Sequence, residues 1–256
     1  LVEAAYWANK GTKMENRSGW QENSLPNVHY FNLKGALNEL VDNPFYGVIE
    51  TGQLSAPQVT RRQLLLPFPQ YTSVIRTGPS VGNSIYHAFT LRVEKRFSRN
   101  LSLLASYTVS KQIDDFDARP LDHENRRLER SLSVYDVPQR LVMSYVYELP
   151  FGRGKTYGAG MHPVLNAVAG GWTISGITTF QSGTPLGVSR PAVNNGKSAR
   201  LAKPEIDRWF DTSVFSIAEP FTYGNVGRRL PDVRSHGVKD FDLALGKAFP
   251  IGERYQ

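Results

Sequence analysis

Two runs of alternating residues, Tyr86 to Phe97 and Leu101 to Lys111, stand either side of Ser98-Arg99-Asn100. In the first, Phe89, Leu91 and Val93 fall on one face and Thr90, Arg92, Glu94 and Arg96 on the other, the side-chain period of a β-strand. The second repeats the pattern: Leu101, Leu103, Ala105, Tyr107 and Val109 oppose Ser102, Ser106, Thr108 and Ser110, with Leu104 the apolar intruder on the polar face. Each run matches the roughly 9 to 11 residues of a strand tilted across a bilayer. The two runs point to a membrane-barrel hairpin, with one face in lipid and one in water.

Four further segments carry the same signature. Val2, Ala4, Tyr6 and Ala8 share a face at the start of the chain, and Leu141, Met143, Tyr145, Tyr147 and Leu149 share one in the run from Arg140. Trp172, Ile174, Thr178 and Phe180 follow, and then Phe241, Leu243, Leu245 and Phe249 opposite Asp240, Asp242, Ala244 and Gly246. The connections alternate in size: long after Asn9, tiny after Phe97, long after Lys111, moderate after Leu149, long after Gln181 and tiny after Phe249. Long extracellular loops and short periplasmic turns alternate in this way in outer-membrane barrels. The fold expected is therefore all-β, part of a large antiparallel transmembrane β-barrel.

Phe97, Tyr147, Trp172 and Phe249 sit near strand ends on the small-turn side, where an interfacial aromatic girdle belongs. Within the first long connection, the spacing of Leu33, Leu37, Leu40 and Val41 predicts a short helix, stopped by Asn43-Pro44. The first residues read as a strand in progress and Pro250-Ile251-Gly252-Glu253-Arg254 as a turn leading into Tyr255-Gln256, the expectation for a piece of a longer protein.

Composition agrees with a barrel. Mean hydropathy is slightly negative and no stretch approaches the 18 or so apolar residues of a spanning helix, while lumen-facing residues dilute the apolar signal of a barrel. The chain has no cysteine, which removes disulfides, cysteine zinc sites and cysteine nucleophiles. Its formal charge of +7 is dispersed rather than gathered into a basic block, so no nucleic-acid partner is expected.

No catalytic, cofactor-binding or metal site emerges, and the chain is not expected to be an enzyme. Gly154-Lys155-Thr156 and Gly196-Lys197-Ser198 imitate the end of a phosphate-binding loop, but Leu149 and Pro191 occupy the position that needs glycine. His29, His87, His123, His162 and His236 lack metal-ligand spacing. Asp114, Asp115 and Asp117 are expected to pair with arginine, with Arg126, Arg127 and Arg130 the candidates, rather than to hold calcium. Arg92, Glu94, Arg96, Arg140, Glu148, Asp240 and Asp242 are expected to form ion-pair ladders along the wall. Trp20, Tyr46, Phe68, Tyr71 and Arg126 are candidates for ligand capture in the loops, although packing roles suit each of them.

Several stretches also resemble a family. They include Tyr86-His87-Ala88-Phe89-Thr90-Leu91-Arg92-Val93-Glu94-Lys95-Arg96-Phe97, Val137-Pro138-Gln139-Arg140-Leu141-Val142-Met143-Ser144-Tyr145, Glu148-Leu149-Pro150-Phe151-Gly152, Gly171-Trp172-Thr173-Ile174-Ser175-Gly176 and Trp209-Phe210-Asp211-Thr212. Together they are similar to the C-terminal barrel region of Oar-like TonB-dependent outer-membrane receptors, in order and over almost the whole chain. The resemblance implies that residues 1–256 are a partial receptor barrel domain, without the plug domain, signal peptide and final strands. It implies a parent of the kind with a carboxypeptidase regulatory-like domain, a barrel of about 22 strands, and energised uptake of a bulky ligand. The implied partners are outer-membrane lipid, the plug and remaining strands of the parent, an inner-membrane TonB-type complex and an extracellular ligand. An adhesin or surface-assembly protein on the same barrel is the alternative, and a soluble all-β binding protein a more distant one.

Overall fold

A computed structural model describes residues 1–249. The expected final turn, Pro250 to Arg254, lies outside the described residues. One antiparallel sheet dominates, with six long strands in chain order: β1 (Val2–Glu15), β2 (Ser80–Ser98), β3 (Leu101–Asp114), β4 (Gln139–Glu148), β5 (Trp172–Gln181) and β6 (Val238–Lys247). These are the six segments that alternate in the sequence. A two-residue strand, Ser131–Leu132, adds to the outer end of β3.

The register confirms the assignment of faces. Ala4 pairs with Leu91, Leu91 with Tyr107, Tyr107 with Leu141 and Leu141 with Phe180, so one row of apolar side chains crosses five strands. The neighbouring row runs Val2, Val93, Ala105, Met143, Thr178 and Phe241 across all six. Phe241, Leu243 and Leu245 stand 57%, 66% and 63% exposed, large apolar side chains that water would not cover. Gly176 lies among them opposite Tyr145, and a Cβ there would meet the Tyr145 hydroxyl at 2.9 Å.

On the other face Thr90 meets Thr108, their hydroxyls 3.2 Å apart, while Ser106, Arg140, Thr179, Asp240 and Asp242 continue the polar surface. Arg92 pairs with Glu3 at 3.6 Å and with Glu94 at 3.4 Å, and Glu94 also takes Arg96 at 3.4 Å. The expected ladder thus forms on β1 and β2. It does not extend to Arg140, Asp240 or Asp242, which make no ion pair among the described residues, and Glu148 pairs instead with Lys155 at 2.8 Å. Leu104, Val142, Val146 and Ile177 surround Ser144 as an aliphatic patch on this otherwise wet face.

The β2–β3 turn is shorter than expected. Ser98 pairs with Leu101, leaving Arg99 and Asn100 at φ 51° and 65°. Two successive left-handed residues make the type I′ turn whose twist suits a hairpin. Strands β1 and β2 are longer than the sequence pattern indicated: β1 runs to Glu15 rather than Asn9, and β2 begins at Ser80. Beyond the bilayer neither face needs apolar residues, so pairing continues where alternation stops.

The long connections, residues 16–79, 115–138 and 182–237, all leave from one end of the sheet. The two-residue turn and the 149–171 connection lie at the other. The first outer loop holds two helices, α1 (Asn27–Leu33) and α2 (Arg61–Leu64), and a small pairing of Leu40–Asp42 with Gln58–Thr60. The helix expected over Leu33 to Val41 is displaced: α1 ends as Lys34 turns to φ 44°, a 3-10 turn spans Lys34–Asn38, and Leu40 enters a strand. Leu37 nevertheless points inward and is fully buried. The inner 149–171 connection carries the third helix, α3 (Pro163–Ala169).

Candidate functional site: the outer loop cap

The third outer loop folds around its own core of Ala192, Ala199, Val214, Val226, Leu230 and Val233, against which Trp209, Phe210 and Phe215 pack. The aliphatics of that core interleave with Arg228, Arg229 and Arg234, and this spacing carries the arginines inward with them. There they meet carboxylates of the second outer loop and of the end of β3.

Arg228 is the centre of that junction, 3% exposed. Its guanidinium donates to the carbonyl oxygens of Glu129 at 2.6 Å and Asp114 at 2.7 Å, and pairs with the side chains of Asp114 and Asp117. Arg229 reaches Asp117 at 3.1 Å. Arg190 grips Glu129 with two bonds, at 3.1 and 3.0 Å, and Glu129 also accepts from the Leu121 backbone N–H at 3.0 Å. Arg234 donates to the Asp136 carboxylate at 2.6 Å and its carbonyl at 3.0 Å. Such planar, two-pronged contacts hold guanidinium and carboxylate in one relative orientation. Burial pulls the Arg228 guanidinium below its ordinary range, and the hydrogen bond it donates to the Asp114 carboxylate opposes that shift.

The acidic group is therefore arginine-paired as expected, but mostly with other arginines. Arg126 does take Asp115, at 2.9 Å, and also donates to the carbonyls of Val81 and Asp115. Arg127 and Arg130 form no ion pair among the described residues. Asp114 and Asp117 are claimed by Arg228 and Arg229, more than a hundred residues along the chain. Sequence proximity favoured the wrong partners because the loops fold against one another.

The first outer loop joins the cap through polar and aromatic contacts. The side-chain nitrogen of Asn27 donates to the Asp122 carboxylate at 2.9 Å, and its side-chain oxygen accepts from the Tyr223 hydroxyl at 3.0 Å. Tyr30 stacks on Tyr223 with ring centroids 5.2 Å apart, and Phe221 and Phe31 pack on the same pair. Burial, and then Asp122, push the Tyr223 hydroxyl up to about 12. Three loops distant in sequence thus converge on one aromatic residue.

Two clefts open beside it, of 420 and 270 Å³, sharing Gln21, Ser24, Leu25 and Tyr223 in their walls. The larger is further lined by Arg62, Gln63 and Thr72, the smaller by Trp20, His123 and Glu124. Asn23 spends its whole amide group on backbone atoms of Phe68 and Tyr71, and Gln21 its oxygen on the N–H groups of Asn23 and Val74, which ties the loop down and leaves the Gln21 side-chain nitrogen, Arg62 and Thr72 as polar groups for a ligand. Of the capture candidates, Trp20 lies in the wall of the smaller cleft, where its ring meets His123 edge-on at 4.8 Å and lies under the Arg126 guanidinium. Tyr46, Phe68 and Tyr71 remain exposed on the first loop. Among the described residues no group of three His, Cys, Asp or Glu side chains is arranged to hold a metal ion.

A sheet with a continuous apolar face, a largely polar opposite face, folded loops packed together at one end, and a two-residue turn and one helix-bearing connection at the other is the wall of a transmembrane β-barrel. The chain belongs to the outer membrane beta barrel domain family, whose pattern it matches over residues 1–256, and its location is the outer membrane. No curated protein and no solved structure matches it. Membrane residence removes the soluble all-β alternative, because the aliphatic rows that lipid covers would be left in water.

Proposed function

We propose that the chain is the wall and outer loops of an Oar-like TonB-dependent receptor that takes a bulky ligand across the outer membrane by energised uptake. The observation that carries this reading is the polar inner face, which runs from the loop cap through Thr90, Thr108, Ser106 and Asp242 towards the inner turn. Thr90, Arg92, Glu94 and Arg96 of β2 carry polar side chains down the wall past the aliphatic patch, a path that adhesion does not require. The segments similar to Oar-like receptors supply the energy-coupled part of the reading. In this scheme the loops capture, the wall guides, and a plug and further strands of the parent chain complete the conduit. Coupling runs through an inner-membrane TonB-type complex, and the chain itself carries out no catalytic step.

The exposed aromatic tip of the first loop, Tyr46, Phe68 and Tyr71, favours the second reading, an adhesin or surface-assembly protein on the same barrel. Uptake of fluorescent oligosaccharides and peptides too large for general porins separates the two. Cells with the full-length protein should accumulate such a probe, and cells lacking either the protein or the inner-membrane motor should not. Accumulation that persists without the motor refutes energised import. Loss of surface attachment with unchanged uptake, on deleting the protein, selects the adhesin.

A further inference from the structure

The inner connection between β4 and β5 presents apolar surface that the protein does not cover. On α3, Val164, Leu165 and Val168 are 67%, 61% and 70% exposed. Positions i, i+1 and i+4 of a helix lie within an arc of about 100°, the width of an apolar face. Asn166 occupies the opposite side, where its side-chain oxygen accepts from the Arg153 backbone N–H at 2.7 Å. The polar side of α3 is thus anchored to the protein and its aliphatic side is not.

The wall indicates what lies against that side. Trp172 and Lys247 are register partners at the inner rim, on the face that continues through Ile174 and Leu245. Both hold the carboxyl end of α3. The Trp172 indole N–H donates to the Val168 carbonyl at 2.9 Å, and the Lys247 ammonium donates to the same carbonyl at 2.5 Å and to that of Gly170 at 3.2 Å. The ammonium also lies 4.4 Å from the centre of the Trp172 ring. The carboxyl end of α3 is consequently tied to the lipid-facing side of the sheet, at the level where tryptophan and lysine meet headgroups.

We propose that α3 is an interfacial helix, with Val164, Leu165 and Val168 inserted among the phospholipids of the inner leaflet of the outer membrane. Its occupant is lipid, because its apolar arc continues the lipid-facing rows of β5 and β6 and its anchors come from those rows. At 7 residues the helix is too short to persist in water on its own propensity. The Trp172 and Lys247 contacts fix its carboxyl end, and the bilayer covers the remaining face. The inner rim thereby acquires a shelf parallel to the membrane, beside strands that cross it.

These 256 residues contain no cysteine, and with any cysteine outside them replaced by serine single thiols can be placed at will. Variants V164C, L165C and V168C of the full-length protein, labelled with an environment-sensitive fluorophore, are reconstituted in phosphatidylcholine vesicles carrying doxyl-labelled lipid. The L243C variant on the wall and K197C in the third outer loop set the lipid and water limits. The three helix positions should be quenched by doxyl lipid as L243C is, and several-fold less by iodide present on both sides than K197C. Iodide quenching equal to that of K197C overturns the proposal by placing α3 in water. Insensitivity to both quenchers also overturns it, since protein would then cover the helix.

Discussion

Replacing Arg228 with methionine should unfasten the outer loop cap while leaving the wall intact. Glu129 would keep both bonds from Arg190, and Asp117 would keep Arg229 at 3.1 Å. Asp114, itself 3% exposed, would be left without a cation among the described residues. Removing one partner of a buried ion pair costs about 3–5 kcal/mol, most of it from the charge left behind. At about 1.4 kcal/mol per decade this corresponds to roughly two to three and a half powers of ten in the opening equilibrium of the cap. Hydrogen exchange followed by mass spectrometry on the full-length protein in lipid reads it directly: amides of 115–138 and 225–235 should exchange faster by that factor, and those of β4 and β5 should not. Adding D114L to the R228M variant should recover most of the loss, because an apolar pair can replace a buried ionic one at little cost. Loop exchange within about threefold of the parent, or equal acceleration of the wall, would refute the reasoning.

Leu243 and Ser175 test the two faces: L243R should lower the stability of the protein refolded into vesicles by about 2–4 kcal/mol, whereas S175R on the inner face should cost under about 1 kcal/mol. Equal shifts in the urea midpoint would contradict the assignment of faces. His123 should make the cap sensitive to mild acid. Burial lowers its pKa below 6.5, against the opposing pull of Asp122, Glu22 and Glu129. As pH falls below 6.5 the unfolded loops bind a proton that the folded cap refuses, so the cap loses stability until the lowered pKa is passed and the loss levels off. Protease cleavage in the outer loops should rise over that window in the parent and stay flat in the H123F variant.

The wall was legible because lipid and water impose a period of two on every strand that separates them. Phe241, Leu243 and Leu245 announce their face locally, without knowledge of their neighbours. No such rule governs the segment past Asn9, where β1 is held by pairing with β2 and both faces are wet. The cap was hidden for a different reason. Arg228 finds Asp114 at a separation of 114 residues and the Glu129 carbonyl at 99, and no nearest-neighbour argument selects those partners over Arg127 or Arg130. A usable signal was nonetheless present: Val226, Leu230 and Val233 alternate with arginines in a loop, and a loop with its own core buries what lies between its apolar residues. In the first loop the spacing of Leu33, Leu37, Leu40 and Val41 picked out the buried Leu37 but not the exposed Leu40, and it misplaced the helix, since the turn at Lys34 is a backbone event that hydrophobic spacing does not record.

The ion-paired cap bears on an error that the membrane cannot detect. A strand that slips against its neighbour by one residue turns its apolar face to water, and the bilayer penalises it at once. A slip of two residues returns every side chain to its proper face, so lipid is indifferent, yet it displaces the strand's outer end by about 6.6 Å. Arg228 could not then reach Asp114 and the Glu129 carbonyl together, and Arg234 would lose Asp136. The loops above the membrane therefore verify the alignment of the strands within it, detecting the misalignment that parity conceals.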